Sequence, residues 1–558
     1  MPLPILPPNV WSIRPKLPWI AAVLVSIPAL IIIVNLHWMY LKLPNAVGFD
    51  DGYTVALGER IIDGKWLPYV DGCSHRGPML YWLVAIFQKL TGRFNWFGPR
   101  TLMFVTSLVT LFGMVGTGIA ARLPLAGAFG AILWVYLGLV THEADSAFAV
   151  TGEAIAAAFG MLALFFCAWG LLSARRLRNR ALLLALAGSA TALAGFTKQT
   201  AFPIAVPLFA WVFAGAMSTE DTSWRRRLGL ASAFVGGISI VTLLVLSRYA
   251  IGGHLRTFWY WFYTYNREVY MAPLRGRSFW EDFDPWMRGQ YWAFFAVALF
   301  STWGLARPLA NMASFREFFA GYSKAGLEVT TSALVLVTMA AISSPQRFWP
   351  PYFVMLFPYL GLAAGVQLAA TMERSEGTPW ARFAGAIVLG GLLSGWVSYG
   401  ARMRVNALIA DRKSGKRHAA LPEPICDVFD KYGTKDDKVF VWGFDADYYV
   451  TCKRHPATRF TYLTLVAGTV PPFWNDIRPE REARGARRHL MEDLELSRPS
   501  VILDSPGTMR NVGIRTVPEL GKLLEEKYCS KPGVSSASGR KAEVWVRRDL
   551  TTCDEPRR

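Results

Sequence analysis

The chain has 558 residues, of which 53% are hydrophobic, and its mean hydropathy is +0.27. Repeated apolar runs of about 18–25 residues exclude a soluble globular protein, because such runs can cross roughly 30 Å of hydrocarbon as helices. The formal charge of +19 does not indicate a nucleic-acid partner, since no basic helix, zinc-ligand spacing or RNA-binding signature accompanies it. Cytoplasmic loops and anionic phospholipid attract Lys and Arg in any case, so we predict a multi-span helical membrane protein.

The first apolar run extends from about residue 18 to residue 39 and follows Arg14 and Lys16. It is too long for the core of a signal peptide and lacks a small-residue cleavage site, so we predict a membrane helix that is retained. The two preceding cations predict that the N-terminus lies in the cytoplasm and that the next loop lies outside.

That outer loop, predicted at 41–98, contains a polar stretch from Gly48 to Gly92 that opens with two adjacent carboxylates, Asp50 and Asp51. Two amphipathic pieces follow, joined by a turn-rich link. The second has one apolar face at helical spacing, made by Leu80, Leu83, Val84, Phe87 and Leu90. Four aromatic residues suit the membrane–water interface, namely Trp66, Tyr69, Tyr81 and Trp82. We therefore predict a long loop on the membrane surface with a carboxylate pair at its root.

Further apolar runs follow, the last at about 383–399, and give a count of about eleven spans. Arginine clusters at 175–180 and 225–227 follow even-numbered spans and so mark the cytoplasmic side. The short outer turn between spans three and four holds Glu143, Asp145 and Glu153. This count leaves the end of the last span, and everything after it, outside.

From Ala401 the composition becomes charged, and no further span follows. The segments VFVWGF, SVILD and AEVWVRR indicate short strands, and polar helical patterns lie near 478–496 and 517–527. Four cysteines lie here, Cys426, Cys452, Cys529 and Cys553, which allow three disulfide pairings that the sequence does not rank. We predict two domains, an all-α membrane domain at 1–400 and a small extracytoplasmic α/β domain at 401–558.

No nucleotide-binding loop, C-x-x-C pair or Cys/His ligand spacing is present in the sequence. We therefore expect neither ATP nor an obligate metal cofactor. A divalent cation that bridges carboxylates and phosphate stays open at this point.

Three segments together resemble the GT-C glycosyltransferases. The loop FDDGYTVALGERIIDGKWLPYVDG, with the SHRGPM turn after it, is similar to the first outer loop of the branch that includes protein O-mannosyltransferases, aminoarabinose transferases and rhizobial lipopolysaccharide-core transferases. That branch has an Asp-Glu pair and a His-Lys-Pro-Pro-Leu-like turn, where this chain has Asp50-Asp51 and His75-Arg76-Gly77-Pro78-Met79. GFTKQTAFPIAVPL and PQRFWPPYFVMLFPYLGLAAG resemble two later elements of the family, and the outer tail resembles tails of bacterial members.

The resemblance implies an enzyme of the bacterial inner membrane whose active site faces outward. It implies transfer of a sugar, with inversion, from a polyprenyl-phosphate donor to a glycan, lipid or protein acceptor of the envelope. Asp50 is the candidate general base, Asp51 and Asp145 are further catalytic candidates, and Asp51 departs from the family's Glu. The alternative is that Asp50 and Asp51 only cap the following helix, and that Asp145 is a plain turn residue.

The leaving phosphate needs permanent positive charge, and Lys198 and Arg347 are the main candidates to supply it. His75 and Arg76 are further candidates for the phosphate, while Tyr53 and Tyr352 are candidates for substrate contact. Lys198 and Arg347 each have an alternative as a side chain that reaches to the membrane interface. The alternative for His75 and Arg76 is that they only fix the turn.

Two other kinds of protein remain possible on the sequence. A lipid or solute transporter is disfavoured, because the ionisable residues cluster at the outer ends of the spans rather than at mid-membrane. A non-catalytic surface protein with the same fold can be distinguished from a glycosyltransferase only by an activity measurement or by a bound donor.

Overall fold

The structure is a computed structural model, and it describes the chain at 16–43, 49–140, 148–174, 176–217, 224–271, 292–310, 324–344, 350–375, 377–414, 423–470, 477–505, 512–537, 539 and 541–553. In the first 414 residues the described part is helical. The α-helices are α1 (Leu17–Leu41), α2 (Phe49–Asp63), α3 (Pro78–Thr91), α4 (Phe97–Ala120), α5 (Pro124–Trp134), α6 (Gly152–Ala168), α7 (Leu177–Thr197), α8 (Ala205–Met217), α9 (Trp224–Ile251), α10 (Leu255–Trp259), α11 (Trp292–Ala310), α12 (Lys324–Ser343), α13 (Pro350–Phe353), α14 (Phe357–Arg374) and α15 (Pro379–Ser414). π-Helical turns continue α5, α6 and α10 at Val135–Val140, Trp169–Ser173, Tyr260–Thr264 and Asn266–Tyr270, and a 3-10 turn at Gln199–Ile204 precedes α8.

Seven helices in the described part are long and apolar enough to cross a membrane. They are Leu17–Leu41, Phe97–Ala120, Gly152–Ser173, Leu177–Thr197, Leu228–Ile251, Gly326–Ser343 and Pro379–Ala410. Three shorter apolar helices lie at Pro124–Val140, Gln199–Gly215 and Val297–Ala306. The predicted class, a multi-span helical protein with a small C-terminal sheet, is confirmed, whereas the count of eleven spans stays a prediction.

The C-terminal part forms one five-stranded sheet in the order β2-β1-β3-β5-β4. The strands are β1 (Lys438–Gly443), β2 (His455–Pro456), β3 (Val501–Ser505), β4 (Tyr528–Ser535) and β5 (Lys541–Arg547). β1 pairs in parallel with β2 and β3, while β5 is antiparallel to β3 and β4. Among the described residues of this part, five helices lie around the sheet: α16 (Pro424–Tyr432), α17 (Asp447–Thr451), α18 (Thr464–Ala467), α19 (Ala486–Ser497) and α20 (Pro518–Lys527).

Disulfides join elements within this sheet domain. Cys426 pairs with Cys452, and Cys529 pairs with Cys553, which selects one of the three pairings that the sequence left open. The predicted boundary at residue 400 falls inside α15, which continues to Ser414, and the division into two domains stays a prediction.

The sheet domain packs directly on the first loop of the membrane part. A Cβ added at Gly52 in α2 would lie 2.8 Å from the Asp447 backbone nitrogen, so the start of α17 approaches α2 as closely as backbones can. The Cys73 N–H donates to the Arg459 carbonyl oxygen at 2.8 Å. His455 Nδ1 and Asp63 Oδ2 are 2.5 Å apart. The first loop is therefore enclosed between the membrane helices and the sheet.

This enclosure changes the predicted surface position of two aromatic residues. Tyr69 and Tyr81 were predicted at the membrane–water interface, but they are 1% and 0% exposed. Their hydroxyl groups have internal partners instead, since Tyr69 donates to the Arg76 carbonyl oxygen and Tyr81 contacts Ser74 Oγ, both at 2.5 Å. The interfacial interpretation was wrong for both, because other parts of the protein enclose them: Tyr249 and Phe258 pack on Tyr69, and Tyr53 packs on Tyr81.

The topology prediction rests on the arginine clusters at 175–180 and 225–227. Reporter fusions after residue 180 and after residue 405 should report opposite sides of the membrane. Both positions lie in helices of the described part, α7 and α15. The same location for both fusions would contradict the span count and the outward-facing loop.

Candidate active site

Asp50 lies in the first turn of α2 and forms an ion pair with Arg76 from the turn before α3. Arg76 Nη2 donates to Asp50 Oδ1 at 2.5 Å. The Asp50 side chain is 37% exposed, whereas that of Arg76 is 11% exposed. The pair thus presents a carboxylate to solvent-accessible space and holds the guanidinium behind it.

Asp51 points elsewhere. It is 1% exposed, and its Oδ1 accepts a hydrogen bond from the Val150 N–H at 3.0 Å, just before α6. Neighbours on a helix are rotated by about 100°, so two adjacent carboxylates at the start of α2 face different surroundings. The contact explains Asp51 as a link between α2 and α6, and its catalytic role stays a prediction.

The turn that carries His75 and Arg76 is fixed by close packing and by hydroxyl groups. A side chain at Gly77 would collide with the Phe196 carbonyl oxygen near the end of α7, so only glycine permits this approach. The Arg76 N–H donates to Ser74 Oγ at 3.1 Å, and its Nη1 donates to Thr54 Oγ1 at 3.2 Å. The close approach brings Arg76 beside the segment that follows Phe196, which contains Lys198.

Lys198 forms a second ion pair, and this one is buried. Its Nζ donates to Glu153 Oε1 at 2.6 Å, and the two side chains are 11% and 6% exposed. The same ammonium lies 4.7 Å from the centre of the Tyr352 ring, in a cation–π contact. Glu153 lies in the first turn of α6, so the helix dipole favours its negative charge there.

Aromatic rings connect the two ion pairs. Tyr352 and Tyr270 have hydroxyl oxygens 3.2 Å apart, and the Tyr270 ring stacks on His75 with centroids 4.3 Å apart. On the other side, the Arg76 guanidinium lies 5.6 Å from the Tyr53 ring centre. The far face of this group is closed by Tyr462 of the sheet domain, whose ring is 4.7 Å from that of Tyr53.

The charges of the ion pair also act on Tyr462. Burial raises the pKa of the Tyr462 hydroxyl well above its ordinary value, the Asp50 carboxylate raises that pKa further, and Arg76 opposes them. The hydroxyl therefore stays protonated and available as a hydrogen-bond donor at the face of the site that the sheet domain covers.

Seven of the nine residues selected from the sequence lie in the described part, and six of them form this group: Asp50, Tyr53, His75, Arg76, Lys198 and Tyr352. Asp51 is adjacent in the chain but faces Val150. Asp145 and Arg347 lie outside the described residues.

Three site residues were not selected from the sequence. Glu153 belonged to the acidic turn that the sequence showed, and its position at the start of an apolar helix was the available signal. Tyr270 and Tyr462 carried no such signal, because only the packing of distant segments brings them to the site.

No group of three or more His, Cys, Asp or Glu side chains that could hold a metal ion occurs in the part of the chain that the structure describes. The expectation of no obligate metal stays a prediction.

The chain matches no protein-family model and no curated protein. Its structure is similar to crystal structures of ArnT from Cupriavidus metallidurans, in the apo state and bound to undecaprenyl phosphate. Both comparisons give a TM-score of 0.55 and 15% sequence identity, and they cover 96% of this chain and 99% of ArnT. ArnT, an aminoarabinose transferase, belongs to the GT-C superfamily of membrane glycosyltransferases. The chain has the GT-C fold.

A crystal structure of the Archaeoglobus fulgidus oligosaccharyltransferase, in complex with Zn and sulfate, is also similar. Its TM-score is 0.46 with 12% identity, over 95% of this chain and 74% of that one. This similarity is too low to support an assignment, so the GT-C fold rests on ArnT.

Within this GT-C fold, one carboxyl group at the contact of the sheet domain with α2 is titratable near neutral pH. Burial, followed by the charges of Glu423 and Asp51, raises the pKa of Asp447 to about 7. Because the folded pKa exceeds the ordinary value of about 3.9, folding favours the protonated form. The contribution of Asp447 to the free energy of unfolding is therefore greatest below about pH 4. This contribution falls as the pH rises toward 7.

Asp447→Asn should remove this dependence and should be more stable than the unsubstituted protein above pH 7. One carboxyl group can change the free energy of unfolding by at most about 1.4 kcal/mol per pH unit. The measurement is the free energy of unfolding of the full chain in detergent between pH 4 and 8. Asp436→Asn, at an exposed position of the same domain, is the control and should leave the slope unchanged. Equal slopes in all three proteins would contradict the prediction.

Proposed function

We propose that the protein is a membrane glycosyltransferase that moves a sugar from a polyprenyl-phosphate donor to an acceptor of the cell envelope. The observation that supports this most is the pairing of two carboxylates with two cations, Asp50–Arg76 and Lys198–Glu153, beside shared aromatic rings. The GT-C fold adds support, because the ArnT structure of the same fold is bound to undecaprenyl phosphate. We also propose that the site faces the extracytoplasmic side of the inner membrane, as the arginine clusters at 175–180 and 225–227 predict.

The proposed reaction is a single displacement with inversion. The acceptor hydroxyl oxygen attacks the anomeric carbon of the donor sugar, and Asp50 takes the hydroxyl proton as the new C–O bond forms. The bond between the anomeric carbon and the phosphate oxygen breaks, and the electron pair leaves with the phosphate. Asp50 suits the role of base because its side chain is the more exposed partner of its ion pair.

The leaving phosphate gains negative charge in this step, and fixed cations stabilise that charge in the transition state. Arg76 and Lys198 supply it in our proposal, and a guanidinium can give two parallel hydrogen bonds to phosphate oxygens. Tyr352, whose ring contacts the Lys198 ammonium, would lie beside a donor phosphate bound to that ammonium. Asp145 and Arg347 keep their proposed roles as a second acidic residue and a further phosphate ligand.

Both cations already have a carboxylate partner in the free protein. A donor phosphate would therefore have to compete with Asp50 for Arg76 and with Glu153 for Lys198. When the phosphate takes over Arg76, the Asp50 carboxylate is released from its hydrogen bond with Arg76 Nη2. Donor binding would thereby free that oxygen to accept the hydroxyl proton when the substrate is in place.

The test is sugar transfer by the purified protein from polyprenyl-phosphate sugars to envelope extracts, together with direct binding of undecaprenyl phosphate. We expect saturable binding of undecaprenyl phosphate and formation of a glycosylated product that depends on the donor. Binding without any transfer would favour a non-catalytic protein of the same fold. Vectorial movement of the lipid without glycosylation would favour a transporter.

A further inference from the structure

A cavity of about 370 Å³ lies at the ends of the membrane helices opposite to the candidate active site. The starts of α1 and α15, the turn before α5 and the end of α14 enclose it. Its lining includes Leu17, Leu123, Pro124, Glu373, Pro379 and Arg382. Because α1 begins here and ends before the Asp50 loop, the length of a membrane helix separates this cavity from the candidate active site.

Arg382 brings an unmatched donor to the cavity. Its Nη2 donates to the Ser375 carbonyl oxygen at 2.6 Å. Its Nε is buried and has no hydrogen-bond partner among the residues that the structure describes. A buried N–H without an acceptor is costly, so this atom favours a ligand that supplies an oxygen.

Two further cations lie at the same end of the helices as the cavity. Lys16 and Arg122 are exposed and directly precede the lining residues Leu17 and Leu123. The lining itself holds one cation, Arg382, and one carboxylate, Glu373, so the excess of positive charge at this end comes from the two neighbouring side chains. The first turns of α1 and α5 also lack a side-chain cap, so their backbone N–H groups add partial positive charge.

An apolar groove of about 410 Å³ continues from the cavity between α1 and α4, and Pro124 lines both. The groove follows α1 from Trp19 to Leu30, about 16 Å at the ~1.5 Å rise per residue of an α-helix. That length is close to half of the ~30 Å hydrocarbon thickness of a bilayer. The groove therefore has the extent of one acyl chain in one leaflet.

We propose that the cavity and the groove together form a binding site for one anionic phospholipid. The phosphate accepts hydrogen bonds from Arg382 in the cavity, Lys16 and Arg122 at the same end of the helices favour an anionic headgroup, and one acyl chain lies along α1. A helix of a second protein copy would fill the groove but would leave the cations of the cavity unmatched. The site is independent of the proposed sugar transfer.

The experiment is native mass spectrometry of the full chain, purified in detergent and titrated with dioleoylphosphatidylglycerol or dioleoylphosphatidylcholine. We expect one phosphatidylglycerol molecule to be retained preferentially. Arg382→Gln should weaken the binding of phosphatidylglycerol by about fivefold or more, because one cation near an anionic membrane surface typically contributes a factor of this size. Arg178→Gln removes a charge from an exposed position outside the cavity and should change binding by less than about twofold, on the same scale.

A second pair of variants tests the groove without altering any charge. Val23→Trp fills the groove at an exposed position and should displace the lipid, whereas Val34→Trp, exposed on the same helix but outside the groove, should not. Equal retention of the two lipids, an equal loss in both arginine variants, or undiminished binding in Val23→Trp would overturn the proposal. A dimer that forms in place of the lipid complex would assign the groove to a second copy instead.

Discussion

Asp50→Asn is expected to reduce sugar transfer by about 10²–10⁴-fold, which is the usual contribution of a general base. The substitution keeps the size of the side chain and its hydrogen-bonding capacity but removes the basic oxygen. It also frees Arg76 from its carboxylate partner. We therefore expect undecaprenyl phosphate to bind as tightly as before or up to about fivefold more tightly. The upper bound corresponds to the free energy of a partly exposed ion pair, which the phosphate no longer has to break.

Two controls separate chemistry from packing in this experiment. Thr54→Val removes the hydrogen bond from Arg76 to Thr54 but no charge, and should leave the transfer rate within a fewfold of the unsubstituted rate. Asp51→Asn should reduce transfer less than Asp50→Asn, because the Asp51 carboxylate faces Val150. If the Asp50→Asn protein keeps most of its transfer rate, Asp50 is not the general base, and Asp51 or Asp145 becomes the candidate.

The second large effect concerns the buried pair of Lys198 and Glu153. Lys198→Ala leaves Glu153 buried without its cation, which typically costs about 3–5 kcal/mol of stability. It should also weaken undecaprenyl phosphate binding, and more than Lys198→Arg does, because the arginine keeps the positive charge. The measurements are the free energy of unfolding in detergent and the dissociation constant for undecaprenyl phosphate.

The double variant Lys198→Met/Glu153→Gln distinguishes the two roles of the pair. It removes both charges with little change in volume, so most of the stability should return while phosphate binding stays weak. The ion pair of Arg374 with Glu328 has the same 2.6 Å separation and an equally buried carboxylate, although its cation is more exposed, and it serves as the control away from the candidate site. Arg374→Met should reduce stability without changing phosphate binding. If Lys198→Ala and the double variant both bind undecaprenyl phosphate as tightly as the unsubstituted protein, Lys198 has only a structural role.

Much of the fold could be predicted because its signals are local. A run of apolar residues long enough to span the bilayer specifies a membrane helix whatever its neighbours are, as α1 and α4 illustrate. The three strands predicted from VFVWGF, SVILD and AEVWVRR are β1, β3 and β5, whose apolar residues are buried in the sheet. β4 was missed, since its segment YCSKPGVS has neither clear alternation nor an apolar run.

The ordered motifs also placed most of the candidate site, because a resemblance carries information about which distant segments converge. Asp50, Arg76, Lys198 and Tyr352 come from three segments and lie in one connected group. What the motifs did not contain was the partner of Lys198. The Glu153 carboxylate was one of three in an acidic turn, and only its position at the start of the following apolar run distinguished it from Asp145.

The sequence by itself determined that this is a helical membrane protein with a polar loop at Asp50 and a small sheet domain after the last span. Hydrophobic length and periodicity specify these features one segment at a time. Only the tertiary structure decided that the sheet domain covers the loop, that Tyr462 closes the site, and that the cysteines pair as 426 with 452 and 529 with 553. These features depend on contacts between residues far apart in the chain, and no local pattern encodes which buried surfaces meet.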